Sequence, residues 1–267
     1  MTNIKEPLAK TKARGRCENM KIYVTGDIHG GIDMHKLSNR ELKKNGISIA
    51  KNDFLVILGD FGLPFFDTDL DPHSKTHGEY RYWIKWLSEK PYTVLWIYGN
   101  HDNFNFWERQ EVTERYGGKV QVHPDAQNVI HLMRGDIYKI DGKCCLAFGG
   151  AASADKAYRK ADINWWKQET ASEADMANAR ENLRRCGGRV DYVFTHTPPT
   201  YIRRLIPKMY ELTDPTADFL DQLSLEITYR AWFSGHLHIE LALNSLRFAA
   251  FYNTVLNAEE VAAAFNE

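Results

Sequence analysis

The sequence predicts an α/β fold, and three observations predict it. Short apolar runs rich in Val, Ile, Phe and Tyr recur along the chain. Between them stand stretches with helical spacing and recognisable caps. Five of the runs end directly on Gly, Asp, Asn or His. Alternation of this kind places helices over a sheet, and polar residues past strand ends are where such folds gather their chemistry.

The strands expected are Lys21–Thr25, Phe54–Leu58, Thr93–Tyr98, Lys143–Phe148, Val190–Thr195, Ala231–Ser234 and Arg247–Tyr252. Each is a short apolar run of the length and composition of a buried strand. Helices fall between them. Met34 and Leu37 open one that stops at Asn45–Gly46, a left-handed cap signal. Tyr80, Trp83, Ile84 and Leu87 mark a second, which ends before Pro91. Ser172 with Asp175 three residues on caps a third, which carries Met176, Ala179 and Leu183 on one face and stops at Gly187–Gly188. Asp214–Pro215 opens a fourth, and Ala258–Phe265 reads as a last short one.

Residues 1–19 carry Lys5, Lys10, Lys12, Arg14 and Arg16 among few large apolar residues, and read as a disordered basic tail, with a basic arm for an anionic partner and a true start at Met20 as the alternatives. Residues 20–267 show no repeat, low-complexity segment or linker, and read as one domain. The 34 Lys and Arg nearly cancel the 35 Asp and Glu, and 43% of residues are hydrophobic. This excludes a disordered chain and gives no chain-wide basic footprint for nucleic acid. The four cysteines include the adjacent pair Cys144–Cys145, which suits neither a disulfide framework nor a zinc knuckle. No apolar run approaches a membrane span and the N-terminus lacks a secretory stretch, so a cytoplasmic protein with reduced thiols is expected.

The chemistry lies in five strand-end segments. They are Gly26-Asp27-Ile28-His29-Gly30, Gly59-Asp60, Gly99-Asn100-His101-Asp102, His196-Thr197-Pro198-Pro199 and Gly235-His236-Leu237-His238. Carboxylate, imidazole and amide oxygen suit Mn, Fe, Zn or a similar divalent ion. Without a cysteine, a closed structural zinc site is not indicated. Asp27, His29, Asp60, Asn100, His196, His236 and His238 are more ligands than one ion uses. Two ions sharing a carboxylate would employ them all, and two-metal sites serve in-line displacement at phosphorus. Each segment alone also reads as a turn or a buried histidine. His35, His73, His77, His123 and His131 lie outside these segments and read as ordinary surface or core residues.

In this order, the segments D-x-H, G-D, G-N-H-D, a lone H and G-H-x-H resemble the calcineurin-like metallophosphoesterase superfamily, over Lys21 to about His238. The resemblance implies a sandwich of two mixed β-sheets flanked by helices. It implies that Asp27, His29 and His238 hold the first metal, that Asn100, His196 and His236 hold the second, and that Asp60 bridges them. It also implies that His101 sits by the leaving group with Asp102 orienting it, and that the substrate is a phosphate ester, with Mn a suitable ion in vitro. The segment Gly59-Asp60-Phe61-Gly62-Leu63-Pro64 lacks the arginine of the phosphoprotein phosphatases, which argues against that activity. The stretch Phe148–Ala151 with Ser153, Asp155, Lys156 and Arg159, and beyond it Trp165–Trp166 and Glu169, looks like a loop of small bacterial or phage members. Lys156 or Arg159 would contact substrate phosphate there, unless these charges only open a solvated helix.

Two rivals stand beside this reading. A nuclease would need a basic groove, for which the basic tail and Arg184–Arg185 or Arg203–Arg204 are the candidates. A non-catalytic binding scaffold would have lost ligands, and none is missing. Residues 63–78 and 150–170 are expected to select the substrate, with Pro64-Phe65-Phe66 either lining the pocket or packing at an interface.

Overall fold

The computed structural model describes residues 20–206 and 213–265; the expected basic tail lies outside them. Two mixed sheets face one another. The first has seven strands: β1 Ile22–Thr25, β2 Phe54–Ile57, β3 Thr93–Trp96, β4 Val112–Arg115, β5 Gly118–His123, β6 Ala126–Leu132 and β13 Val255–Asn257. They lie in the order β13-β1-β2-β3-β6-β5-β4. Strands β1, β2, β3 and β6 run parallel. The second sheet holds β7 Ile137–Ile140, β8 Lys143–Phe148, β9 Tyr192–Thr195, β10 Ala231–Ser234, β11 Leu241–Leu243 and β12 Phe248–Ala250, in the order β11-β12-β10-β9-β8-β7. Its strands β8, β9, β10 and β12 are parallel.

Alternation along the strands separates three cores. Val24, Val56, Leu58, Leu95 and Ile97 from the first sheet meet Cys145, Ala147, Phe194 and Phe233 from the second. The opposite residues Tyr23, Leu55, Val94 and Trp96 face outward onto helices α1 Asn39–Lys44 and α2 His77–Ser88, through Leu42, Tyr80, Ile84 and Leu87. Likewise Leu146, Phe148, Val193 and Trp232 pack under α4 Glu173–Arg185 and α6 Pro215–Glu226. Both faces of each sheet are covered, which is why the central strands read as unbroken apolar runs. Three further α-helices are α3 Phe104–Glu108, α5 Thr200–Arg204 and α7 Ala258–Ala264.

The capping signals hold locally. Ser172 Oγ accepts from the Asp175 N–H while Asp175 reaches back to Ser172, and Asp214 accepts from Thr216 N–H ahead of Pro215. One expected helix is split. Met34–Leu37 form a 3₁₀ turn, then Ser38 takes an extended conformation and caps α1 by accepting from Glu41 N–H. Serine prefers that capping geometry to a helix interior. Among the described residues no helix is long and apolar enough to cross a membrane.

Candidate metal centre

The five segments meet at one edge of the sandwich. Strands β1, β2 and β3 are parallel neighbours, so their C-terminal loops emerge side by side, and β9 and β10 do the same opposite them. One hydrogen bond ties the two sides: His196 Nδ1–H donates to the Leu58 carbonyl at 2.7 Å. That bond also fixes the tautomer, leaving the neutral ring's lone pair on Nε2. Two motif glycines leave room for ligands. A Cβ on Gly59 would lie 2.2 Å from the His196 ring, and one on Gly99 would lie 2.0 Å from Asp60 Oδ1.

Asp27, His29, Asp60 and His238 form a candidate metal-binding cluster, with one ligand atom from each within 4.8 Å of every other. His29 Nε2 lies 3.2 Å from Asp60 Oδ2, and His238 Nε2 lies 3.0 Å from Asp27 Oδ2. Asp27 Oδ2 is buried without a hydrogen-bond partner. A buried carboxylate oxygen aimed at an imidazole nitrogen without a hydrogen bond is costly for a protein alone and is what a cation between them would relieve. On the far side of Asp60, His196 Nε2 stands 3.4 Å from Asp60 Oδ1, 3.1 Å from Asn100 Oδ1 and 3.1 Å from His236 Nδ1. Ligands bound at about 2.1 Å to one ion stand about 3 Å apart from one another, so this second gathering fits an ion as well. Asp60 turns one oxygen to each cluster.

The partners of these ligands orient them. His29 Nδ1–H faces Asp33 Oδ2 at 2.7 Å, and Asp33 Oδ1 accepts from the Tyr252 hydroxyl at 3.2 Å. The Tyr252 ring in turn stacks on His238, centroids 4.3 Å apart. Asn100 Nδ2 donates to Ser153 Oγ at 3.2 Å, and Ser153 donates to buried Glu169; the amide oxygen therefore faces inward. Lys36 is buried and donates to the carbonyls of Gly26, Asp27 and Tyr252. Asp33 and Lys36 carried no sequence signal, because Asp33 acts through a ring nitrogen and Lys36 through backbone carbonyls.

Charge is balanced by proximity. Burial pushes the Asp27 carboxyl up, but His196 and His238 outweigh it and hold it below its ordinary range. Asp60 is held well below its range in the same way, against burial, by His196, His29 and His101. Burial lowers His29, yet Asp60 and Asp33 raise it to about 9. His236 falls to about 3 through burial and the adjacent His196, and so presents the neutral ring that a metal needs.

His101 stands at the rim, half-buried, its ring 5.5 Å from that of His29, while its backbone N–H donates to Asp60 Oδ1 at 2.7 Å. Arg159 is nearly buried and brings Nη2 to 3.0 and 2.9 Å from the two His101 nitrogens. Asp102 departs from its expected place. Its oxygens accept from Gly62 N–H at 2.8 Å and Gly99 N–H at 2.6 Å, and among the described residues no hydrogen bond or ion pair joins it to His101. The loop between Gly99 and Asp102 is short, so the carboxylate reaches backbone before it reaches a ring. Lys156 also lies apart: it is exposed and rests on the Trp165 ring at 4.1 Å.

A family model described as calcineurin-like phosphoesterase matches residues 20–240. Lariat debranching enzyme A of Xenopus laevis is 26% identical over 271 residues, covering 92% of this chain and 46% of its own length. The chain thus spans about half the length of that relative. The crystal structure of phosphopantetheinyl hydrolase from Mycobacterium tuberculosis aligns with 88% of this chain and 90% of its own, at 14% identity and a TM-score of 0.42. With the match running from the first strand past His238, the chain belongs to the calcineurin-like phosphoesterase family.

Proposed function

We propose that the protein hydrolyses phosphate esters at two divalent ions, one held by Asp27, His29 and His238, the other by Asn100, His196 and His236, with Asp60 shared. The observation that carries this reading is the division of Asp60, whose Oδ2 faces His29 and whose Oδ1 faces His196. Bound there, such ions supply Lewis acidity toward phosphoryl oxygens and lower the pKa of water.

The chain's own groups do the rest. Asn100, fixed by Ser153 and Glu169, keeps its amide oxygen on the second ion's side. His101 hands a proton to the departing oxygen. Arg159 can only donate, so while it rests on His101 it holds a ring nitrogen unprotonated. A phosphate anion is a stronger partner for a guanidinium than an imidazole is. Substrate therefore draws Arg159 onto its own oxygens and frees His101 to take a proton. Asp102 is a positioning residue, joining the loops after β2 and β3, and Lys156 takes no part.

A small ester is favoured over a polynucleotide. Arg184 and Arg185 are both paired with Glu181 at 3.0 Å, and Arg203 faces Asp214 at 3.7 Å. These ion pairs offset part of the charge of the two described candidate patches, and a polynucleotide needs uncompensated cations. The test is to strip the protein, reload it with Mn²⁺ and assay aryl phosphate mono- and diesters. Metal-dependent hydrolysis is expected, and the mono- to diester ratio narrows the class. Failure to hydrolyse either ester with metal bound would sink the proposal.

A further inference from the structure

A cavity of about 260 Å³ opens directly beside His29 and His101. Its floor is backbone at Gly30, Gly31 and Gly62, and its wall is Leu63, Phe65 and Phe66. Gly31 comes close enough to the α2 side chains that a Cβ there would lie 2.4 Å from Glu79 Oε1. Phe65 and Phe66 pack edge to face at 4.6 Å, and Phe65 leans on the His101 ring at 5.9 Å. This aromatic corner is held in place. The Asp69 carboxylate accepts from Phe65 N–H at 3.0 Å, Phe66 N–H at 2.9 Å and the Thr76 hydroxyl at 2.5 Å.

The charges of the cavity narrow its occupant. Asp69 is buried and its oxygens are already engaged. Glu79 also lines the cavity, and among the described residues no hydrogen bond or ion pair engages its carboxylate. A second anionic group on the substrate would be repelled here, while an N–H donor would be welcomed. The volume falls just below the range of about 300–1,000 Å³ for drug-sized ligands. There is room for one heterocycle and a sugar.

We propose that this cavity receives the alcohol portion of the substrate and that this alcohol is a nucleoside. Its flat heterocycle stacks on Phe65 and turns an N–H edge to Glu79. The proposal rests on the phosphoesterase reading above. Because the cavity adjoins His101, the nucleoside is the departing group. Water adds across the phosphorus–oxygen bond, the hydroxyl joining phosphorus and a proton from His101 joining the nucleoside oxygen, and water's second proton restores His101.

The Mn²⁺-loaded protein is assayed on matched pairs: 5′-AMP against glycerol 2-phosphate, and adenylyl-adenosine against diglycerol phosphate. The nucleoside member is expected to lead in kcat/KM by at least about tenfold, the scale of one aromatic–base stack. Phe65→Ala lowers the nucleoside ester about tenfold more than its glycerol partner. Glu79→Ala, at an exposed position, removes the preference for 5′-AMP over purine riboside 5′-monophosphate, which lacks the amino group. In parallel, saturation-transfer NMR reads adenosine binding to metal-free protein, a signal expected in the wild type and lost in Phe65→Ala. If no ester is hydrolysed, the phosphoesterase reading fails, and adenosine binding still decides the cavity. Equal kcat/KM within each pair, a preference for phosphocholine, equal loss on both esters in Phe65→Ala, or no adenosine signal would overturn the nucleoside assignment.

Discussion

Four of the seven ligand-type residues hold left-handed backbone: His29 at φ 42°, Asp60 at 49°, His236 at 67° and His238 at 51°. Each costs on the order of 1–3 kcal/mol, and such strain persists only where surrounding contacts fix it. The Asp60 carbonyl accepting from Ile28 and His29 N–H is one such contact, and Asp27 Oδ1 accepting from His236 N–H is another. The ligand-type residues were legible in sequence because their types and order are distinctive. Arg159 was legible only as one of two candidates, since nothing in its neighbourhood along the chain shows which cation folds inward. Burial and the nearby Arg159 charge lower the His101 pKa. His101→Ala removes the ring but keeps the backbone N–H that binds Asp60. Turnover is therefore expected to fall about 10²–10⁴-fold with metal content unchanged. Elemental analysis beside the assay checks this; loss of the metals would show that His101 holds the centre together instead.

At the scale of elements, the loops are joined by side chains that serve backbone. Asp102 accepts from N–H groups after β2 and β3, and removing it strands two buried donors. Asp102→Ala is expected to cost about 1–3 kcal/mol for each donor left unpaired, with Asp102→Asn recovering part of it through its remaining oxygen. Urea unfolding of the three proteins measures this; an unchanged midpoint in Asp102→Ala would remove the clamp. The strands and helices with continuous apolar runs or paired caps were readable in advance. Strands β4, β5, β6, β7, β11 and β13 were not. Val120, Ile130 and Leu132 point to the inter-sheet core, but Lys119, Gln121 and His131 alternate with them, and the half-polar pattern lacks the continuous run of a strand buried on both faces.

Taken whole, the molecule brings two sheets together under a centre that is rich in charge and largely buried. Such burial has a pH signature behind Asn100, at Glu169. Glu169 is buried under Trp166 and Ser153, and burial lifts its carboxyl to about 7. The folded state then binds a proton more tightly than the unfolded chain does. Stability is lost as pH rises from about 4.5 to about 7, by about 3 kcal/mol at most. Glu169→Gln mimics the protonated acid, so it should match the wild type below that window and exceed it above. Urea unfolding of metal-free protein across the window checks the sign, and a wild-type stability that rose through it would refute the burial argument. The sandwich itself followed in sequence from the family resemblance, whereas the alternation of elements alone gave only helices over a sheet; which sheet each strand joins depends on pairings between distant residues. The account rests finally on Asp60 as the shared ligand. The most direct measurement is the metal content of Mn²⁺-reconstituted wild type and Asp60→Asn, read with hydrolysis on the same samples. About two ions per chain with turnover in the wild type, and loss of both in Asp60→Asn, are predicted. No bound metal in the wild type, or two ions retained in Asp60→Asn, would contradict it.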